Sequence, residues 1–190
     1  DLSDPPARPA PPLAELTRTA ALIDTLRQAC DYAGAARLLP DLVRDLHAAA
    51  AGPDRGAALQ MLCEATFIAS SVVRNLGHPA DAWLGAERCR DAAEAAEDPV
   101  LIGYAAYARA CAATACGSYA RSEAIAGRAV DELQAHLSAP GALEMLGSLQ
   151  LVCAYATRGR RQFAESRAWA DEAAALAGRT GETTTRGLYF

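Results

Sequence analysis

The chain has 190 residues, 52% of them hydrophobic, yet only 6% aromatic, because 47 positions are alanine. This length suits one medium domain or a short solenoid that buries roughly 70% of its unfolded surface. The alanine excess favours helices with closely spaced axes and argues against a strand-rich fold. All 18 basic residues are arginine and the net charge is −5, so no global cationic field holds a polyanion and the chain alone is a poor nucleic-acid binder.

Residues 1–12, DLSDPPARPAPP, hold five prolines and no apolar period, the composition of an extended linker. From Leu13 to Phe190 we expect one helical domain. Leu16, Ala20 and Ile23 follow a helical repeat over about 13–30. Leu38, Leu42, Val43 and Leu46 do so over about 34–51, where Pro40 should kink the helix or mark its start. Further helices are predicted over about 55–76, 79–96, 99–116, 119–137, 142–158 and 162–180, with short Gly, Pro and Asp turns between them. Asp98-Pro99 is the clearest helix start, a carboxylate for free amides followed by a preset dihedral.

The longest uncharged run, Met145 to Thr157, has 13 residues, short of the roughly 18–20 that span a bilayer, so no membrane helix is expected. Neither is a signal peptide, and the protein is expected in the cytoplasm. Cys30, Cys63, Cys89, Cys111, Cys116 and Cys153 show no CxxC spacing and are read as reduced, mostly buried thiols. His47, His78 and His136 sit in separate elements without an HExxH pattern, so no metal and no cofactor is expected. Arg158, Arg160 and Arg161 suit a helix C-terminus, where cations complement the dipole.

Short turns between successive helices imply antiparallel hairpins. Gly77, Gly117 and Gly159 recur at intervals of about 40 residues, the period of a stacked helical repeat. Gly117, Tyr119, Ser122 and Ala129 carry the spacing of the second half of a tetratricopeptide repeat, and Phe163, Ser166 and Ala173 reproduce it. The chain thus resembles that family in degenerate, lengthened form. The resemblance implies an all-α, tetratricopeptide-like solenoid of about four hairpins and eight helices. A wider likeness lies in Arg37 to His47 (RLLPDLVRDLH), Ala82 to Arg88 (AWLGAER) and Gly187 to Phe190 (GLYF). These stretches resemble the sensor half of actinobacterial transcriptional regulators of the Xre type. The likeness implies a Pro-rich linker from a helix-turn-helix domain missing from this chain, DNA contact only through that domain, homodimerisation, and further helices after Phe190.

If Gly77, Gly117 and Gly159 are equivalent, helix geometry aims one set of residues at the concave surface. These are Glu64, Phe67, Ser71 and Arg74 from the third helix, Tyr104, Tyr107, Cys111 and Thr114 from the fifth, and Leu149, Cys153 and Thr157 from the seventh. Such a channel suits a small amphipathic molecule or a peptide, with Arg74 able to fork a carboxylate. The plainer alternative is that the aromatics fill space between hairpins. Cys111 and Cys153 could face one another as an oxidation sensor, although burial as small hydrophobes explains them more simply. No nucleophile, base and oxyanion donor assemble, so no catalysis is expected. The function that follows is ligand sensing and dimerisation in a bacterial transcriptional regulator; the alternative is a protein-interaction scaffold with no small effector.

Overall fold

A computed structural model describes residues 10–180; most of the expected linker and the Gly187–Phe190 stretch lie outside the described residues. The described chain is all-α, without a strand, and forms four antiparallel helical hairpins. They fall in two compact units, within Asp1–Glu97 and Asp98–Phe190. The first holds α1 (Leu13–Gln28), α2 (Tyr32–Ala50), α3 (Arg55–Asn75) and α4 (Pro79–Ala96). The second holds α5 (Pro99–Ala115), α6 (Tyr119–Leu133), a 3₁₀ turn at Gln134–His136, α7 (Ala142–Gly159) and α8 (Phe163–Thr180). In each unit the two hairpins pack together, α2 and α1 on α3 in one, α6 and α5 on α7 in the other.

One turn is used four times. Its central residue has positive φ: Cys30 (60°), Gly77 (94°), Gly117 (74°) and Arg161 (65°). The next amide reaches back five residues, Asp31 N–H to the Leu26 carbonyl (2.8 Å), His78 to Val73 (3.1 Å), Ser118 to Ala113 (2.9 Å) and Gln162 to Thr157 (2.9 Å). The positive-φ amide itself bonds Arg27, Arg74, Thr114 and Arg158 respectively. This is the Schellman closure, which pairs the orphan carbonyls of a helix end and turns the chain back on itself. Glycine suits the site because it has no Cβ to strain. The last repeat therefore turns at Arg161 and not at Gly159, which is still helical.

Seven residues before three of the turn centres, and five after them, a hydrogen bond joins the paired helices. Ser70 Oγ donates to the Ala82 carbonyl (2.7 Å), Ser122 Oγ to that of Ala110 (2.9 Å) and Ser166 Oγ to that of Ala154 (2.8 Å). Each pair is twelve residues apart, and in the first hairpin the same places hold the wholly buried Ile23 and Ala35. A small side chain admits the facing backbone, and a hydroxyl there satisfies itself on a carbonyl without needing water. The alanine excess serves the same purpose: Ala58, Ala82, Ala86, Ala92 and Ala93 have no exposed surface in the first unit, nor have Ala110, Ala126, Ala142 and Ala156 in the second.

Side-chain caps place the starts of α5 and α2. Asp98 accepts from the Val100 and Leu101 amides (2.7 and 3.2 Å), as expected. Asp31 caps α2 by accepting from Gly34 N–H (2.8 Å), two residues earlier than the predicted start. Pro40 lies inside an uninterrupted α2. Of the described helices, α3 is long and apolar enough to cross a membrane, with mean hydropathy 1.4 over an 18-residue window, but 61% of that window is buried by its neighbours. A search for uncharged runs passes over it because Glu64 interrupts the segment.

Candidate functional site

The expected groove residues divide into buried and accessible groups. On α3, Phe67 and Ser71 are buried, while Glu64, which accepts from Gln60 Nε2 (3.3 Å), and Arg74 are half-buried. On α5, Tyr104 is buried and Tyr107, Cys111 and Thr114 are half-buried; Thr114 Oγ1 donates to Ser122 Oγ (2.7 Å), inside its own hairpin. On α7, Leu149, Cys153 and Thr157 have no exposed surface at all and cannot line an open groove. The misplacement on α7 has a geometric cause. Counting back from Gly159 instead of Arg161 moves the set by two residues, about 200° around the helix axis at 100° per residue. Positions equivalent to Glu64, Phe67, Ser71 and Arg74 are Ser148, Leu151, Tyr155 and Arg158, of which Tyr155 is 59% exposed and Ser148 buried.

Of the two cysteines expected as a sensor, Cys153 is not an activated thiol. Burial, with Glu123, Asp131 and Glu172 adding to it, pushes the Cys153 thiol up to about 12, so it stays protonated and inert. The thiols that do meet are Cys63 of α3 and Cys89 of α4, at 3.3 Å and wholly buried. Of the C-terminal arginines of α7, Arg160 pairs with Glu123 of α6, tying consecutive hairpins of the second unit together.

A concavity lies elsewhere, in the first unit. Ala36, Leu39, Pro40, Val43, Arg44 and His47 recur every three or four residues and form one stripe of α2. Leu62, Ala69, Val72 and Val73 of α3 make a floor, and Arg88, Asp91 and Ala92 of α4 make the opposite wall. The cleft between them measures about 940 Å³. Leu39, Leu62, Val72 and Ala92 are buried at its base, whereas Arg44 and Arg88 are exposed at its rim. Pro40 has no amide proton, so the Ala36 carbonyl on this wall lacks its helical donor.

The polar groups of the cleft are unequally satisfied. Arg44 pairs with Asp41 (2.6 Å), but both side chains are more than half exposed, so this bridge is weak. Asp91 is held by Arg90 (3.2 Å), which also reaches Glu87 (2.6 Å) and Glu94 (3.5 Å) along α4. Arg88 makes no ion pair among the described residues. His47 Nδ1 is shut off from solvent and has no hydrogen-bond partner. Burial above all, with the positive charge of Arg88 among the smaller contributions, holds its imidazole below the usual histidine range, so it is neutral at pH 7.

This lining has hydrocarbon, two guanidinium groups, one imidazole and one carboxylate, but no hydroxyl or thiol nucleophile. Such a lining offers apolar contact to a ligand's body and charge or hydrogen bonds to its polar end. Sequence reasoning missed it because it is composed from three helices. Its one signal within a single helix is the Leu39, Val43, Arg44, His47 stripe, which recurs every three or four residues along α2. Compared with protein-family models and with curated proteins, the chain has no match.

Proposed function

We propose that this chain is a ligand-sensing, non-catalytic module of a bacterial transcriptional regulator of the Xre type, and that its effector occupies the cleft between α2, α3 and α4. The cleft is what carries the reading: a preformed concavity of about 940 Å³, apolar below and polar at the rim, falls within the ordinary size of small-molecule sites. The all-α hairpin architecture supports it, being that of the sensor halves that the sequence resembles. In this reading the protein works in the cytoplasm as a homodimer, and DNA is contacted through a separate helix-turn-helix domain.

The cleft walls are second helices of consecutive hairpins, and the floor is the first helix of the later one. An effector wedged between α2 and α4 favours one inter-hairpin angle over others, and such a population shift can reach an attached domain. The test is amide hydrogen exchange on the chain mixed with fractions of a small-molecule extract. Protection confined to about residues 36–47 and 88–92 is the expected result. Protection absent there with every fraction, but produced elsewhere by a polypeptide, would refute this reading in favour of a scaffold.

A further inference from the structure

We propose that the cleft is selective for an amphipathic organic anion, whose apolar body lies on the α3 floor and whose oxyanion head sits between Arg88 of α4 and His47 and Arg44 of α2. This inference rests on the receptor reading of the same cleft and adds the class of ligand.

Three observations carry it. The base is hydrocarbon, with Leu39, Leu62 and Val72 each at most 5% exposed, so the ligand needs an apolar portion to match it. The lining carries two guanidinium groups and one carboxylate; with Arg44 paired to Asp41 and Asp91 to Arg90, Arg88 is the lining cation that has no ion pair among the described residues. Arg88 is left without an acid, and an oxyanion is the partner its planar fork accepts best. Lastly, His47 Nδ1 is buried and unpartnered on the α2 wall. The half-buried imidazole lies about one turn along α2 from Arg44, so its ring adds a further polar group beside the head. A cationic ligand meets Arg88 unopposed, and a polyanion such as nucleic acid finds too few cations in a chain of net charge −5.

The full chain is titrated calorimetrically at pH 7 with octanoate, octan-1-ol and octylammonium, and bound regions are located by hydrogen exchange. Octanoate is expected to bind at least about tenfold more tightly than octan-1-ol, since charge-assisted hydrogen bonds replace none. Octylammonium is expected not to compete. Arg88→Gln, an exposed change whose fold is checked by circular dichroism, should remove most of the octanoate advantage and leave octan-1-ol unchanged. Equal affinity for octanoate and octan-1-ol, with protection of α2 and α4 by both, overturns the anion selectivity and leaves the receptor reading standing. Octanoate binding that is unaltered by Arg88→Gln, or that protects other helices only, overturns the placement of the head group. No binding of any of the three overturns this ligand class, while the extract experiment separately judges the receptor reading.

Discussion

Gly159 offers a test in which the sign of an effect depends on one neighbour. It is the last residue of α7, and a Cβ built there would lie 2.5, 2.6 and 2.7 Å from Cδ1, Cε1 and Cγ of the Tyr119 ring at the start of α6. Carbon atoms in contact sit about 3.5–4.0 Å apart, so the ring or the helix must yield by about 1 Å. Overpacking of this kind costs about 1–3 kcal/mol. In a helix, alanine is otherwise better than glycine by about 1 kcal/mol. Gly159→Ala should therefore lower stability by up to about 2 kcal/mol in the native chain, yet raise it by up to about 1 kcal/mol where Tyr119→Ala has removed the ring. The assay is urea unfolding followed by far-ultraviolet circular dichroism for the four members of the cycle. A coupling of about 1–3 kcal/mol is expected, each kcal/mol moving Tm by about 2–4 °C. If Gly159→Ala has the same effect in both backgrounds, the ring does not rest on this glycine and the argument is wrong.

Three further outcomes follow from the same physics. Gly85→Ala brings a Cβ within 2.9 Å of the Ser70 backbone nitrogen, which cannot swing aside, so it should destabilise by about 1–3 kcal/mol; Gly103→Ala is tight only against the flexible Met145 Cγ (3.0 Å), with Leu133 and Leu149 at ordinary contact, and should be much milder in the same urea experiment. Thiol labelling of the native chain should modify Cys30 and Cys116 quickly and Cys111 slowly, while Cys63, Cys89 and Cys153 react only on unfolding; a rapid six-thiol reaction would contradict the burial described. His47 is held below its ordinary range when folded and returns to about 6.5 when unfolded, so as pH falls through about 6.5 the unfolded chain gains a proton first and stability declines, levelling off below the folded value. Urea midpoints at pH 7.5 and 5.5 should drop more for the native chain than for His47→Gln, and an equal drop in both would remove this role.

The fold was legible because its signals are local. Asp98-Pro99 starts a helix with a cap that any three-residue window contains, and the 3.6-residue period of Leu16, Ile23 or Leu42, Leu46 needs one helix to be seen. The turns were half legible. Gly77 and Gly117 marked positive φ correctly, but the same backbone is occupied by Cys30 and Arg161, residues that carry no such signature. Gly159 attracted the assignment because it is a glycine near the right place, although its lack of a Cβ serves the Tyr119 ring and not the turn. A glycine in a sequence reports that space or freedom is needed; which of the two is decided by a neighbour that the sequence does not point to.

That two-residue error accounts for only part of the expected site's poorer showing, since Phe67, Ser71 and Tyr104 are buried although Gly77 and Gly117 fix their register. A helix of stacked hairpins is defined by its length and its apolar stripe, both tolerant of a shift, but a residue's direction turns by about 100° for every step. Leu149, Cys153 and Thr157 were thus carried from an open face to the fully buried side of α7, while the Tyr155 ring went unremarked. The cleft on α2 was hidden for a different reason. Its arginines, histidine and apolar floor come from three helices up to about fifty residues apart, and each group taken singly has an ordinary explanation. Only the packing of α2 and α4 on a shared α3 converts Arg88, His47 and Leu62 into one surface, and the preference we propose for it rests on Arg88, which has no ion pair among the described residues. Such a preference is encoded by what fails to pair, and pairing is a property of tertiary neighbours, so no reading confined to single helices can recover it.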